Sequence, residues 1–411
     1  MMNRRVFLKN GSLALVSLGF APTFVARAAE AAQTRKKILI TIFQRGAVDG
    51  LNMIVPYGEK AYYANRPTIA VQRPNQNDGA IDLDGFFGLH PRMASLEPFF
   101  KRGEMAVVHA SGSHDETRSH FDAQDYMESG TPGVKSTRDG WLNRYLHDKE
   151  HQSASPFRAV ALAPQLPRTL QGTAPALAIG TLAQFGVRGG AATDMLANSF
   201  EAQYAQVADS VLAPTGKEAF DAVKMMKLAD PAQYAPANAA QYPRSGFGEA
   251  MKQIAQIVKS DLGLEVAFAE LGQWDHHANE GSTQGQIANR LDDFARGISA
   301  FATDLGDRMA DVVLITMSEF GRTVKENGNR GTDHGHGNAM LIMGGPVKGG
   351  KVYGKWPGLE PGQLWQGRDL AITTDFRDVF AEAVTGHLAA TDVSRIFPGY
   401  RYKSTLGFLR T

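Results

Sequence analysis

The chain has 411 residues, 43% apolar and 21% charged, which suits one large folded domain or two. Its 43 Lys and Arg against 42 Asp and Glu give a formal charge of +1, so nothing points to nucleic acid or an anionic membrane as partner. Cysteine is absent, which excludes disulfides, iron–sulfur clusters, thiolate zinc sites and a cysteine nucleophile.

At the start, Arg4 and Arg5 stand directly before Val6, Phe7, Leu8 and Lys9, the RR-x-F-L-K order of a twin-arginine export signal. A weakly apolar stretch over 13–25 follows, broken by Ser17, Gly19 and Pro22, and ends at Ala26-Arg27-Ala28, a small-x-small cleavage pattern. It is too short and interrupted for a stable transmembrane helix, which needs roughly 20 apolar residues. Residues 1–28 are therefore read as the signal and 29–411 as the exported domain. The twin-arginine translocase is the export partner, the periplasm or exterior the destination, and no stable membrane insertion is expected. The signal carries four cations and no acid, so its removal leaves a formal charge of −3.

Short apolar runs at 38–43, 105–109, 159–163, 266–271, 312–316 and 340–343 read as buried strands. Helical periodicity over 121–129, 248–262, 286–309 and 376–387 alternates with them. This alternation predicts an α/β fold, a mainly parallel sheet sandwiched by helices. Phe86, Phe87, Phe99 and Phe100 read as core. The Ala-, Pro- and Tyr-rich stretch 228–246 reads as a connector, and about 185–250 as a possible cap or insertion.

Polar residues collect just after these runs, where open α/β sheets place their sites. After the first run comes QRGAVDGLN, with Asp49. After the second comes SGSHDETRSHFDAQ, with His114, Asp115, Thr117, Ser119, His120 and Asp122. GQWDHHANEG supplies Asp275, His276 and His277, MSEFGRT supplies Glu319 and Arg322, and NRGTDHGHGN supplies Asp333, His334 and His336. Carboxylates and imidazoles converging from separate loops are the donor set for a divalent metal, with zinc or manganese the best fit and one or two ions in view. Each residue also has a plainer reading. Asp49 serves equally as a helix cap, Glu319 and Arg322 as an ion pair, and His120 as a core histidine. Ser119 and Thr117, at a strand-to-helix junction, are either nucleophile and anion-binding groups or ordinary N-caps.

The twin-arginine signal, VDGLN, RSHFDAQ, the WD-x-H loop, SEFGR and GTDHGHG together resemble the domain-of-unknown-function 1501 family over essentially the whole exported chain. That family is placed by similarity among the alkaline phosphatase-like proteins, with sulfatases and cofactor-independent phosphoglycerate mutases. The resemblance implies a two-metal centre at the strand ends. Asp49 would match the first-strand ligand, Asp275, His277 and His336 one metal set, and Glu319 and His334 a second set with Asp49. Ser119, or Thr117, would fall near the nucleophile. The chain departs from the pattern: Glu319 stands where Asp-His is usual, Asp333-His334 comes later, and Asp275-x-His277 is a shortened spacing. Sulfatases that build formylglycine from cysteine are excluded. The expectation is an exported metal-dependent hydrolase of phosphate or sulfate esters, with His120 or Arg322 stabilising developing charge. The alternative is a non-catalytic secreted binding or assembly protein that keeps the hydrolase fold.

Overall fold

The computed structural model describes residues 37–148, 155–182, 234–403 and 405–410. The export signal lies outside them, as does most of the expected cap at 185–250.

Twelve strands carry the architecture among these residues: β1 Ile38–Gln44, β2 Ile54–Val55, β3 Ile81–Asp82, β4 Gly88–Leu89, β5 Met105–Gly112, β6 Ala159–Ala161, β7 Leu177–Ala178, β8 Val266–Leu271, β9 Val312–Met317, β10 Asn338–Met343, β11 Lys351–Tyr353 and β12 Thr374–Asp375. Nine form one sheet in the order β11-β5-β10-β9-β1-β8-β6-β7, with β12 also on β5. Parallel ladders join β9, β1, β8, β6 and β7. Only β10 runs against its neighbours, β9 and β5. The three short strands β2, β4 and β3 make a separate antiparallel sheet.

Six helical segments matter for the site and the core: α1 Gly50–Met53, α2 His120–Ser129, α3 Trp141–Asp148, α4 Gly246–Lys259, α5 Gln286–Leu305 and α6 Phe376–Glu382. β1 is buried along all seven residues, as a central strand covered on both faces must be. Ile38, Ile40 and Ile42 pack with residues of α4 and α5, whereas Leu39 and Phe43 pack with residues of α3 and α6. Strand alternation therefore puts one helical layer on each side. In α5, Ile287, Leu291, Phe294, Ile298, Phe301 and Leu305 recur at three- and four-residue steps and all face the core. The mostly parallel, helix-sandwiched sheet expected from the sequence is the fold observed. Three helices end earlier than their periodicity: α4 stops at Lys259, α5 stops at Gly306, with φ +53°, and α6 gives way at Ala383 to a π turn.

The topology positions the site. β1, β5, β8 and β9 point the same way, so the loops after their last residues share one sheet edge. β10 runs the opposite way, so the segment leading into it reaches that same edge.

Candidate metal centre

Three side chains from three of these loops meet: His120 at the start of α2, Asp275 after β8, and His334 before β10. His120 Nε2 lies 3.0 Å from His334 Nε2 and 3.4 Å from Asp275 Oδ2, and His334 Nε2 lies 3.2 Å from Asp275 Oδ1. His277 joins from the side, its Nε2 2.9 Å from both His334 Nε2 and Asp275 Oδ1.

The far nitrogen of each imidazole decides what these contacts mean. His334 Nδ1 is 2.8 Å from the Arg118 carbonyl, which only accepts, so that nitrogen carries the hydrogen and Nε2 keeps its lone pair. His120 Nδ1 donates to Glu319 Oε1 at 2.8 Å, and His277 Nδ1 to Asp333 Oδ1 at 3.0 Å. In their neutral forms all three histidines thus turn bare nitrogens toward one another and toward a carboxylate. Lone pairs packed this way repel unless a cation lies among them. The carboxylate or carbonyl behind each imidazole is the usual outer support of a metal-binding histidine.

The spacing fits as well. Ligands about 2.0–2.1 Å from a tetrahedral zinc stand roughly 3.3 Å apart, close to the 3.0 Å between the His120 and His334 Nε2 atoms, while Asp275 turns Oδ2 to His120 at 3.4 Å and Oδ1 to His334 at 3.2 Å. His120, Asp275 and His334 could offer three ligand atoms to one ion, the usual protein contribution to a zinc site with one open position.

Charge around the cluster is set by buried partners. Burial alone would raise Asp275, but the bond from Arg322 Nη1 at 2.6 Å and that guanidinium's charge hold it below the ordinary carboxylate value. Arg322 is itself fully buried, tied to Thr332 by its Nε at 3.1 Å and by a further bond to the Thr332 carbonyl. Glu319 is pushed up by burial and pulled down further by His120, Gln124 and the Gly46 N–H, all at 2.8 Å. The Glu319 bond in turn raises His120, whereas burial lowers His334.

The other expected residues are distributed as follows. Glu319 and Asp333 support histidines from behind and do not join the converging donors. Asp49 lies elsewhere: it caps α1 through the Leu51 N–H, and both its oxygens accept from the fully buried Arg66. Its carboxylate is therefore committed to a guanidinium. His336 also stands apart, stacked on Trp365 with ring centres 3.8 Å apart and pushed down to about 4 by burial. The plainer alternative of a Glu319–Arg322 ion pair is not what forms: Glu319 binds His120 and Arg322 binds Asp275. Thr117 accepts the Ser119 N–H at 3.2 Å and so shapes the turn. Ser119 is the N-cap residue of α2, yet its hydroxyl makes no capping bond and the residue is half-buried.

Sequence reading missed Arg66, Gln124 and Glu280. Glu280 is fully buried, receives Thr332 Oγ1 at 2.8 Å, and is held well above the ordinary range by burial and the neighbouring Asp49. Gln124 ends RSHFDAQ and Glu280 lies in GQWDHHANEG, whereas Arg66 stands in no motif; in all three cases only the folded contacts reveal the role.

The fold is mostly parallel and helix-sandwiched, and its loop edge carries a histidine–carboxylate group of a kind that could hold a metal ion. The chain belongs to the family described as protein of unknown function (DUF1501), whose model matches residues 36–396. A search of curated proteins gives no match. Among solved structures it is similar to Ps i-CgsB in complex with k-i-k-neocarrahexaose, with TM-score 0.40 and 9% identity over 91% of this chain and 76% of that one. It is also similar to the PsFucS1 sulfatase from Pseudoalteromonas sp., with TM-score 0.38 and 12% identity over 95% and 76%. At those scores neither likeness bears on residues or chemistry. No helix among the described residues is long and apolar enough to cross a membrane.

Proposed function

We propose that this chain is an exported, metal-dependent hydrolase of phosphate or sulfate esters built around one ion. The observation that carries the reading is the convergence of His120, His334 and Asp275, with both outer imidazole nitrogens already engaged. A second ion is not needed, because Asp49 is neutralised by Arg66 and Glu319 and Asp333 serve as supports. The bound metal, zinc or manganese, would polarise the ester oxygen. Arg322 keeps Asp275 ionised and aimed, while Glu319 and the Arg118 carbonyl fix the two imidazoles. Ser119, whose hydroxyl makes no capping bond and which is half-buried beside His120, supplies the attacking oxygen. That oxygen bonds to phosphorus or sulfur as the bond to the ester oxygen breaks, the leaving alcohol takes the proton, and water then hydrolyses the serine ester to free phosphate or sulfate. The twin-arginine pair Arg4 and Arg5 supports folded export, and an Arg4→Lys/Arg5→Lys chain should then stay inside the cell.

The first experiment is elemental analysis of the protein purified from the periplasm, beside an Asp275→Ala/His334→Ala variant. About one equivalent of zinc or manganese, lost in the variant, is expected. Ser119→Ala should keep that metal and lose ester turnover, and unchanged turnover removes the serine from the mechanism. Absence of metal from the wild type after reconstitution would sink the reading. One observation favours the binding-protein alternative: His277 offers a fourth donor that would close the open position. Metal retained with no turnover across a broad ester panel would support that alternative.

A further inference from the structure

Two arginines outside the metal set flank His334. The Arg118 carbonyl holds the imidazole, and Arg368 Nη2 donates to the His334 carbonyl at 2.5 Å. Both guanidiniums bind one carboxylate, Asp369: Arg118 Nη2 reaches Oδ2 at 2.9 Å, and Arg368 reaches Oδ1 at 3.0 Å and Oδ2 at 3.1 Å. Asp369 is fully buried, whereas the arginine side chains are 33% and 42% exposed. Two cations on one anion leave a positive charge at the rim. Arg118 Nε is shielded from solvent and has no hydrogen-bond partner. The Arg118 guanidinium also lies 5.2 Å from the Trp365 ring, whose stacking partner is His336.

We propose that Arg118 and Arg368 form an anion subsite beside the metal centre, so that the substrate carries a second anionic group besides the ester that is cleaved. This rests on the metallohydrolase reading and narrows its substrate class to polyanionic esters. The shared chemistry is an oxyanion, whether carboxylate, sulfate or phosphate, met by guanidinium forks. Arg118 is the main determinant: its side chain is free of the metal set, and only its backbone carbonyl touches His334.

The test uses the zinc-loaded protein and two matched ligand pairs in calorimetry. These are phenylphosphonate against 4-carboxyphenylphosphonate, and benzenesulfonate against 4-sulfobenzoate. The added carboxylate should tighten binding about tenfold in at least one pair, the size of one charge-assisted hydrogen bond. Arg118→Gln should erase that gain while zinc content stays at the wild-type value, and Arg118→Lys should restore part of it. A gain below about twofold in both pairs, or one that survives Arg118→Gln, overturns the subsite but leaves the metal centre standing. Failure of every ligand to bind the zinc-loaded protein overturns the subsite and the ester reading together.

Discussion

At the residue scale, the site depends on which nitrogen of each imidazole is engaged from behind. Glu319 is the strongest such support, fully buried and shared by His120, Gln124 and the Gly46 N–H. Removing its charge while keeping its shape isolates the electrostatic part. Glu319→Gln is therefore expected to weaken metal affinity by about 10- to 100-fold with little change in fold. Competition with a fluorescent chelator measures this, and an unchanged affinity would show that Glu319 serves only packing. The sequence showed the donor types but not their order. Glu319, Asp333, His334 and His336 all lie in loops that read as ligand-bearing, yet only His334 of these reaches the cluster. Spacing along the chain cannot distinguish a carboxylate that meets the metal from one behind an imidazole. Nor could it reveal that Asp49 is taken by Arg66, which arrives from a different loop.

Secondary structure was the most legible level, because burial imposes a period on the sequence. β8 spans the predicted 266–271, and β1, β5, β9 and β10 each contain their predicted runs. The antiparallel sense of β10 was not legible, since an apolar run carries no direction. That sense matters, because it brings the 331–337 segment to the same edge as the loop after β9. The two loops pair backbone to backbone: Gly335 N–H to the Gly321 carbonyl at 2.8 Å, Gly321 N–H to the His336 carbonyl at 2.8 Å, and Thr323 N–H to the Asp333 carbonyl at 2.9 Å. The glycines of SEFGR and GTDHGHG answer to this contact. A Cβ on Gly321 would lie 1.8 Å from the Gly337 carbonyl oxygen, and one on Gly335 2.3 Å from the Arg322 carbonyl carbon. Gly321→Ala must force the loops apart and carry Arg322 and His334 out of register. The expected outcome is a folded protein with most of its metal lost, read by metal content alongside a thermal melt. Full metal occupancy in that variant would show that the loops have slack.

At the scale of the whole molecule, acid stability depends on histidines remote from the metal cluster. His90, His109 and His387 are buried, and each ring places its Nε2 against a backbone carbonyl, of Ser282, Ile54 and Ile38 respectively, at 3.0–3.1 Å. Burial pushes each down from 6.5 to about 4. In the unfolded chain these rings take protons near their ordinary value; in the folded chain they resist until about 4. Unfolding therefore takes up protons, and stability is full above 6.5 and falls as pH drops from there toward 4. Each ring accounts for about 3 kcal/mol across that window. Three such losses rival the roughly 5–15 kcal/mol that holds a typical domain together. Native circular dichroism should thus be lost cooperatively with a midpoint above about pH 4. Metal is withheld with a chelator throughout, so that ligand protonation does not contribute. His387→Gln, if it folds, should shift that midpoint downward, because it removes one proton-binding site from the unfolded chain. A chelated protein that keeps its native spectrum at pH 3 would show that the interior around these rings relaxes enough to charge them.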